Sequence, residues 1–348
     1  MVKTGNNCAR FGGILAITFS GAAYVAAADD VPFDSSFFAN PPPSALTLAS
    51  QIARTAPGSD VYAGQTPGQA GSWAAAIATN AMRQYLMPSL GAGAPDWAKR
   101  IEFELDVRDG AKPRYSILTV QPIYQTPDKQ DTWFVQASQL RYDLIDKYRD
   151  TTNIGLGYRR LLFDNSMLLG VNVFHDYEWT YEHRRYSIGG ELKWAMLDFN
   201  GNWYRAITDY KTVDSSTSER ALNGYDLELR SQVPYLPWMQ IGARKYHWDS
   251  ELSDDIKGWS YSATADISQN LSVEAGWTND NYDNSQAFVK FVFQLARTDR
   301  PVMLSDQFRS AQFFEKRDMS NYTLDKVRRE NKIIVERRGA GVIIARGN

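Results

Sequence analysis

The residues best suited to catalysis or metal binding near neutral pH are three histidines, His175, His183 and His247. A metal site needs ligands that the fold brings to one point, often at short helical spacings. These three show no such spacing, and His175 shares the register of Val173 and Tyr177 on an outward strand face. They read as interfacial or loop histidines. A hydrolase would need a serine, a histidine and an acidic or amide partner converging at one rim. Serines are plentiful, but no spacing marks one as a nucleophile. The run Asn279-Asp280-Asn281-Tyr282-Asp283-Asn284 offers oxygen ligands, yet it lacks the spaced acids and final Glu of a calcium loop and reads as a solvated hairpin connection. Gly155-Leu156-Gly157 has neither the third glycine nor the following helix of a dinucleotide site. Small residues there leave room for whatever fills an interior. No catalytic, metal or cofactor-binding residue is assigned, and the chain is read as a non-enzyme.

What remains is charge chemistry. A basic cluster, Arg328, Arg329, Lys332, Arg337 and Arg338, lies near the C-terminus, and acids recur at alternate positions upstream: Glu102, Glu104, Asp106, Asp176, Glu191, Asp226, Glu228 and Glu274. With 38 Lys plus Arg against 40 Asp plus Glu, the chain lacks the charge excess of a nucleic-acid binder, and no nucleic-acid partner is expected. The expectation is that the acids form the wall of a lumen and hold the basic segment inside it, where a low dielectric strengthens the attraction.

The elements that must position these charges follow from composition. The 348 residues include 10 Trp, 19 Tyr, 16 Phe and 24 Gly, with 22% charged and 43% hydrophobic residues. This is too apolar for a disordered chain. Residues 1–28 read as a cleaved secretory signal: Lys3 and Arg10, then a small and apolar stretch, then Ala26-Ala27-Ala28. The single cysteine, Cys8, falls within it, so no disulfide is expected in the exported chain. No later run approaches the roughly 18 apolar residues of a transmembrane helix. Membrane insertion therefore requires a closed barrel, the other structure that satisfies its backbone in lipid.

From residue 100 onward the apolar pattern has period two. Ile101, Phe103, Leu105 and Val107 alternate with Glu102, Glu104, Asp106 and Arg108, and Tyr186, Ile188, Leu192 and Trp194 with Ser187, Gly189, Glu191 and Lys193. Strands are predicted near 100–108, 114–125, 131–142, 149–162, 166–179, 184–195, 197–207, 221–232, 238–248, 257–268, 270–279 and 286–295, twelve in all. Alternate connections are short, whereas 207–220 and 247–257 are long and polar, as outer-membrane barrels require. Trp179, Trp203, Trp259 and Trp277 fall near outer strand ends and Trp194 near an inner one, positions suited to interface girdles against outer-membrane lipid. Residues 45–55 and 72–86 have helix-forming composition, and 306–317 is predicted as a short helix.

Several segments resemble the intimin and invasin barrels, the inverse autotransporters. They are Tyr158-Arg159-Arg160, Met167 through Asp176, Ser187-Ile188-Gly189-Gly190-Glu191, Leu222-Asn223-Gly224-Tyr225-Asp226, Val233-Pro234-Tyr235-Leu236-Pro237, and Val327-Arg328-Arg329-Glu330-Asn331-Lys332-Ile333-Ile334-Val335. The resemblance covers roughly 73–338. It implies an all-β, twelve-stranded antiparallel outer-membrane barrel whose following segment, 299–338 here, threads the lumen and carries a C-terminal passenger to the cell surface, usually for adhesion. It also implies periplasmic chaperones and the barrel-assembly machinery as partners.

The expected organisation is a signal peptide at 1–28, a periplasmic helical or flexible leader at 29–98, the barrel at 99–296 and a lumen-threading segment at 297–348. The sequence ends at Asn348, soon after Ile333-Ile334-Val335, so no adhesive passenger is read in it. The expected role is insertion in the outer membrane with translocation or display of the chain's own C-terminal segment. Two alternatives stay open: a diffusion channel for small polar solutes, and an adhesin acting through its external loops toward an unknown surface ligand.

Overall fold

Alternating side chains need a surface whose two faces meet different surroundings, and here the usual order is inverted. In the computed structural model, which describes residues 96–338 except 110, 145–146, 283–284 and 295–302, Ile188 is 60% exposed while Glu191 on the opposite face is 4% exposed. Apolar side chains point out and charged ones point in, the arrangement of a barrel with lipid outside and a polar interior.

A short helix, α1 (Asp96–Lys99), leads into the sheet. The strands are β1 (Ile101–Arg108), β2 (Arg114–Gln125), β3 (Asp131–Leu144), β4 (Lys147–Leu162), β5 (Met167–Glu178), β6 (Arg184–Trp194) and β7 (Leu197–Ala206). Two short strands follow, β8 (Lys211–Thr212) and β9 (Ser218–Ala221). The barrel resumes with β10 (Asn223–Val233), β11 (Leu236–Asp249), β12 (Ile256–Ser268), β13 (Leu271–Asp280) and β14 (Gln286–Gln294), and β15 (Val335–Arg338) lies near the end. Among the described residues twelve antiparallel strands close the barrel, with β10 pairing directly to β7 and β14 returning to β1. The closing seam runs from Glu102 opposite Gln294 to Arg108 opposite Phe288. Closure removes the free edges that lipid could not satisfy.

At one rim the connections are tight. Left-handed backbone at Lys129, at Phe163, Asp164 and Asn165, at Ala195 and at Tyr235 turns the chain at four of them. The other rim carries the longer connections 207–222 and 250–255. In bacterial barrels the short-turn rim is periplasmic. Pro122 produces the one irregularity in the β2–β3 ladder, between Pro122 and Tyr124, where a ring without an N–H cannot donate.

Residues 306–317 form no helix, contrary to the sequence expectation; they run as bends and turns. The short-turn rim engages their backbone instead. The Tyr235 N–H donates to the Phe313 carbonyl at 2.9 Å, the Ser310 N–H donates to the Tyr235 carbonyl at 2.9 Å, and Trp238 Nε1 donates to the Phe308 carbonyl at 2.9 Å. The helical element in this part of the chain is a single 3-10 turn, Met319–Tyr322, whose start is capped by Asp318 accepting from the Ser320 N–H. The signal at 1–28, the helix-forming stretches at 45–55 and 72–86, and most of the leader lie outside the described residues.

Candidate functional site in the barrel lumen

An extended chain has no internal ladder, so each buried N–H and C=O needs an outside partner. The segment after Met319 obtains these from the inward side chains of the barrel. It enters where the Met319 N–H donates to the carbonyl of Asn165 in a turn of the short-turn rim (2.9 Å), with Met319 and Tyr322 packed on Leu161 and Leu168. Arg159 Nη1 donates to the carbonyls of Thr323 (2.8 Å) and Asp325 (2.7 Å). Gln136 Oε1 accepts from the Val327 N–H at 2.7 Å, Asn202 Nδ2 donates to the Arg328 carbonyl at 2.9 Å, and the Tyr204 hydroxyl accepts from the Glu330 N–H at 2.7 Å. Arg185 Nη2 and Asn153 Nδ2 donate to the carbonyls of Glu330 (2.6 Å) and Asn331 (2.9 Å). The segment leaves at the long-loop rim, where the Leu222 N–H donates to the Ile334 carbonyl and β15 pairs with β9 from Val335 opposite Ala221 to Arg338 opposite Ser218.

Charges meet in register along this path. Lys326 Nζ lies 2.8 Å from Glu102 and 3.6 Å from Glu104. Arg328 bridges Glu228 (2.9 Å) and Glu274 (3.0 Å). Arg329 grips Asp176 with both terminal nitrogens, at 2.9 and 2.7 Å. In an extended chain neighbouring side chains point to opposite sides, so Arg328 and Arg329 reach opposite walls. The wall also supplies cations to the segment's acids: Lys193 to Asp325 (2.5 Å) and Arg244 to Glu330 (2.7 Å).

Other charges singled out from sequence are placed differently. Glu191 pairs with Arg159 of the wall at 2.7 Å, Asp106 with Arg108 at 3.0 Å, and Asp226 accepts from Asn202 (2.8 Å) and Tyr204 (2.7 Å). These three acids position the wall residues that hold the segment or balance the wall itself. Lys332 is fully buried, with its Nζ 5.7 Å from the Tyr142 ring centroid and no hydrogen-bond partner among the described residues. Arg337 reaches Glu219 of β9 at 2.7 Å and not the barrel wall, and Arg338 is exposed. Lys326 was not among the basic residues read from sequence, nor were the wall donors Arg159, Arg185 and Arg244; their inward register on period-two strands was the available signal.

Glycine spacing serves the wall more than the segment. A Cβ on Gly157 would lie 2.2 Å from the Phe134 ring and one on Gly155 2.4 Å from Phe174. The rings occupy the space that the sequence reading left for the lumen filling. They in turn support cations: Arg159 stands 4.2 Å over Phe134, and Arg329 4.3 Å over Phe174.

At the outer rim, β8, β9 and β15 form a three-stranded sheet. Ile333 and Val335 pack with Leu140, Tyr142, Leu144 and Ala221, and Ile334 with Tyr204, Leu222, Tyr246, Trp248 and Ile256. Glu219 of β9 is buried, 2.5 Å from Arg149, 3.1 Å from His183 Nε2 and 2.7 Å from Arg337. Burial alone would raise the Glu219 carboxyl; hydrogen bonds from Arg149, His183 and Arg337 and the Arg149 charge overcome it and hold the pKa at about 2. Glu336, also buried, accepts from Ser250 Oγ (2.7 Å) and from the N–H groups of Glu251 (3.1 Å) and Leu252 (3.3 Å).

The histidines occupy three different neighbourhoods. His183 is fully buried beside Glu219, and His175 stands edge-on to Tyr186 on the outer face. The fold brings His247 together with Asp249 (3.1 Å) and Asp255 (3.4 Å), a grouping that sequence spacing did not reveal. Lys257 already lies 3.4 Å from Asp255, so the group reads as a salt-bridged strand end. In 279–284, Asp280 accepts from the Tyr246 hydroxyl and Asn281 from the Lys257 N–H; residues 283–284 lie outside the described residues. Trp179, Trp194, Trp203, Trp259 and Trp277 are all exposed on the outer face.

A closed antiparallel barrel, apolar outside and charged inside, with its own C-terminal segment stretched through the interior, defines a class of outer-membrane β-barrel. Residues 47–331 match the inverse autotransporter β-domain, and the chain belongs to that family. It is 24% identical over 328 residues to the inverse autotransporter adhesin YeeJ of Escherichia coli K12, covering 86% of this chain and 13% of that relative. It is 27% identical over 205 residues to intimin of Escherichia coli O127:H6, covering 54% of this chain and 21% of intimin. The chain thus spans only a small part of these relatives. A solved chain from work headed "Unveiling the Mechanism Behind the in-meso Crystallization of Membrane Proteins" shares the fold at a TM-score of 0.57 and 20% identity, over 68% of this chain and 99% of that one.

Proposed function

We propose that this barrel carries its own C-terminal segment across the outer membrane and anchors it at the surface, displaying whatever follows residue 338. The observation that carries this reading is the continuous run from Met319, bonded at a turn of the short-turn rim, to β15, paired with a strand of the long-loop rim. Crossing an apolar band of about 25 Å takes only about eight extended residues, so the chain between those two contacts is long enough. The acid-and-base lining acts as a cradle for the segment, and no catalytic role is assigned to it. An N-terminal signal would export the chain, and chaperones and the barrel-assembly machinery would insert it with its aromatic girdles at the lipid interfaces. Surface binding, which the name of the adhesin relative implies for that protein, belongs in this reading to whatever the barrel displays. An open diffusion channel and a loop adhesin draw less support, because the segment occupies the lumen and the long loops are engaged in holding it.

The test is protease shaving of intact cells carrying an epitope tag after Asn348, with a periplasmic marker reporting leakage. Loss of the tag while the marker survives is the expected result. A protected tag on a correctly inserted barrel would overturn the reading.

A further inference from the structure

The segment does not fill the lumen evenly. Its backbone is bonded to side chains of β3, β4, β6 and β7, and two polar cavities lie beside it. One, about 480 Å³, is lined from the periplasmic rim by α1, Gln294 and Asp198. The other, about 180 Å³, is lined toward the outer rim by Arg108, Trp248 and Asp280. Four residues line both: Glu102, Glu274, Lys326 and Arg328. These are two cations of the segment and two of the carboxylates they bind, so the partition between the cavities is made of ion pairs.

We propose that the barrel retains a path for small cations alongside its threaded segment, closed at one partition by Lys326 and Arg328. Lys326 ties Glu102 and Glu104 together, and Arg328 ties Glu228 and Glu274. The tethered side chains occupy the place where mobile cations would meet these four carboxylates. Charge accounting at the partition includes two wall cations, Arg230 at 3.1 Å from Glu228 and Lys290 at 3.9 Å from Glu274. Four cations therefore balance four carboxylates, and the intact partition is neutral as well as closed. Removing Lys326 and Arg328 opens it and leaves a net negative ring, which concentrates cations and repels anions in a low-dielectric passage.

This path requires the segment to be in the lumen, so the experiment tests that separately. Full-length barrel carrying Ala221→Cys and Val335→Cys, which face each other in the β9–β15 pair, is oxidised to pin the segment and placed in planar bilayers under a potassium chloride gradient. Pinned barrel without further change is expected to conduct weakly. Pinned Lys326→Ala/Arg328→Ala is expected to conduct severalfold more, with a reversal potential favouring potassium. Adding Glu102→Gln and Glu274→Gln, which returns the partition to neutrality, is expected to keep the larger conductance and abolish the preference. Pinned Arg338→Ala, an exposed change of the segment outside the lining of both cavities, is expected to leave conductance near that of the parent. Should the double variant fail to insert, Lys326→Ala alone carries the same expectation at smaller size. Failure of the cross-link to form would show an undocked segment and overturn the premise. A formed cross-link with unchanged conductance, an equal rise in Arg338→Ala, or a rise without potassium preference would overturn the partition while leaving the threaded segment standing.

Discussion

Arg329 and Asp176 form a two-point ion pair inside the barrel, at 2.9 and 2.7 Å, with both side chains fully buried and Arg185 a further 2.8 Å from the same carboxylate. One acid thus holds a cation of the threaded segment and a cation of the wall at once. Removing it leaves two buried guanidinium groups without their shared counter-charge, and breaking a buried pair costs about 3–5 kcal/mol. Asp176→Asn should destabilise the barrel by about that amount in urea unfolding from lipid vesicles. Asp176→Asn/Arg329→Met should recover part of the loss, because one stranded charge is gone.

The docking of β15 on β9 should depend on pH through Glu219. Its folded pKa of about 2 lies below the ordinary glutamate value of 4.5, so its contribution is present above about 4.5 and is lost as pH falls toward 2. Protease susceptibility of the segment end should therefore stay flat from pH 7 to 5 and rise below about 4.5. Glu219→Gln should show raised susceptibility throughout and no such rise.

Gly157 has no room for a methyl group, since its Cβ would stand 2.2 Å from the Phe134 ring. Gly157→Ala should cost about 1–3 kcal/mol by overpacking. Gly157→Ala/Phe134→Leu should recover part of that, less the lost contact of Arg159 with the ring. Unfolding midpoints of the three variants check both statements.

Ile188, 60% exposed at mid-strand on the outer face, should meet hydrocarbon. Ile188→Arg is expected to destabilise the inserted barrel by about 2–4 kcal/mol, the depth-dependent cost of a cation on a lipid face. Ser187→Arg, which faces the occupied lumen, should fail through crowding of Arg329, whose Nη2 lies 3.0 Å from the Ser187 hydroxyl. Comparison in thick and thin bilayers separates the two, because only the lipid-facing change responds to depth.

The barrel was legible because each strand repeats a simple rule. With apolar side chains outward at every second residue, the pattern predicts β6 at 184–195, observed as Arg184–Trp194, and β7 at 197–207, observed as Leu197–Ala206. Where the pairing joins distant parts of the chain the rule gave no warning. β9 and β15 are four residues each and gain order from one another across the mouth, so neither carries a strand pattern of its own. The same distance hid the wall donors: Arg159 and Arg185 read only as inward polar residues, and their partners are carbonyls of the segment. Lys326 had a readable signal in its alternation with Arg328, which sends both to one side of an extended chain. The 306–317 helix failed because local composition was outweighed by rim groups that take its backbone bonds one at a time.

The most direct test of a segment that crosses the membrane inside its own barrel is thiol labelling on intact cells. Arg338→Cys and Asp306→Cys are each placed in a Cys8→Ser background and exposed to a membrane-impermeant maleimide before and after outer-membrane permeabilisation. Both native side chains are exposed, at opposite ends of the threaded run. Labelling of Arg338→Cys on intact cells, with Asp306→Cys labelled only after permeabilisation, is the predicted result. Labelling of both only after permeabilisation, in a barrel that has inserted and folded, would contradict it.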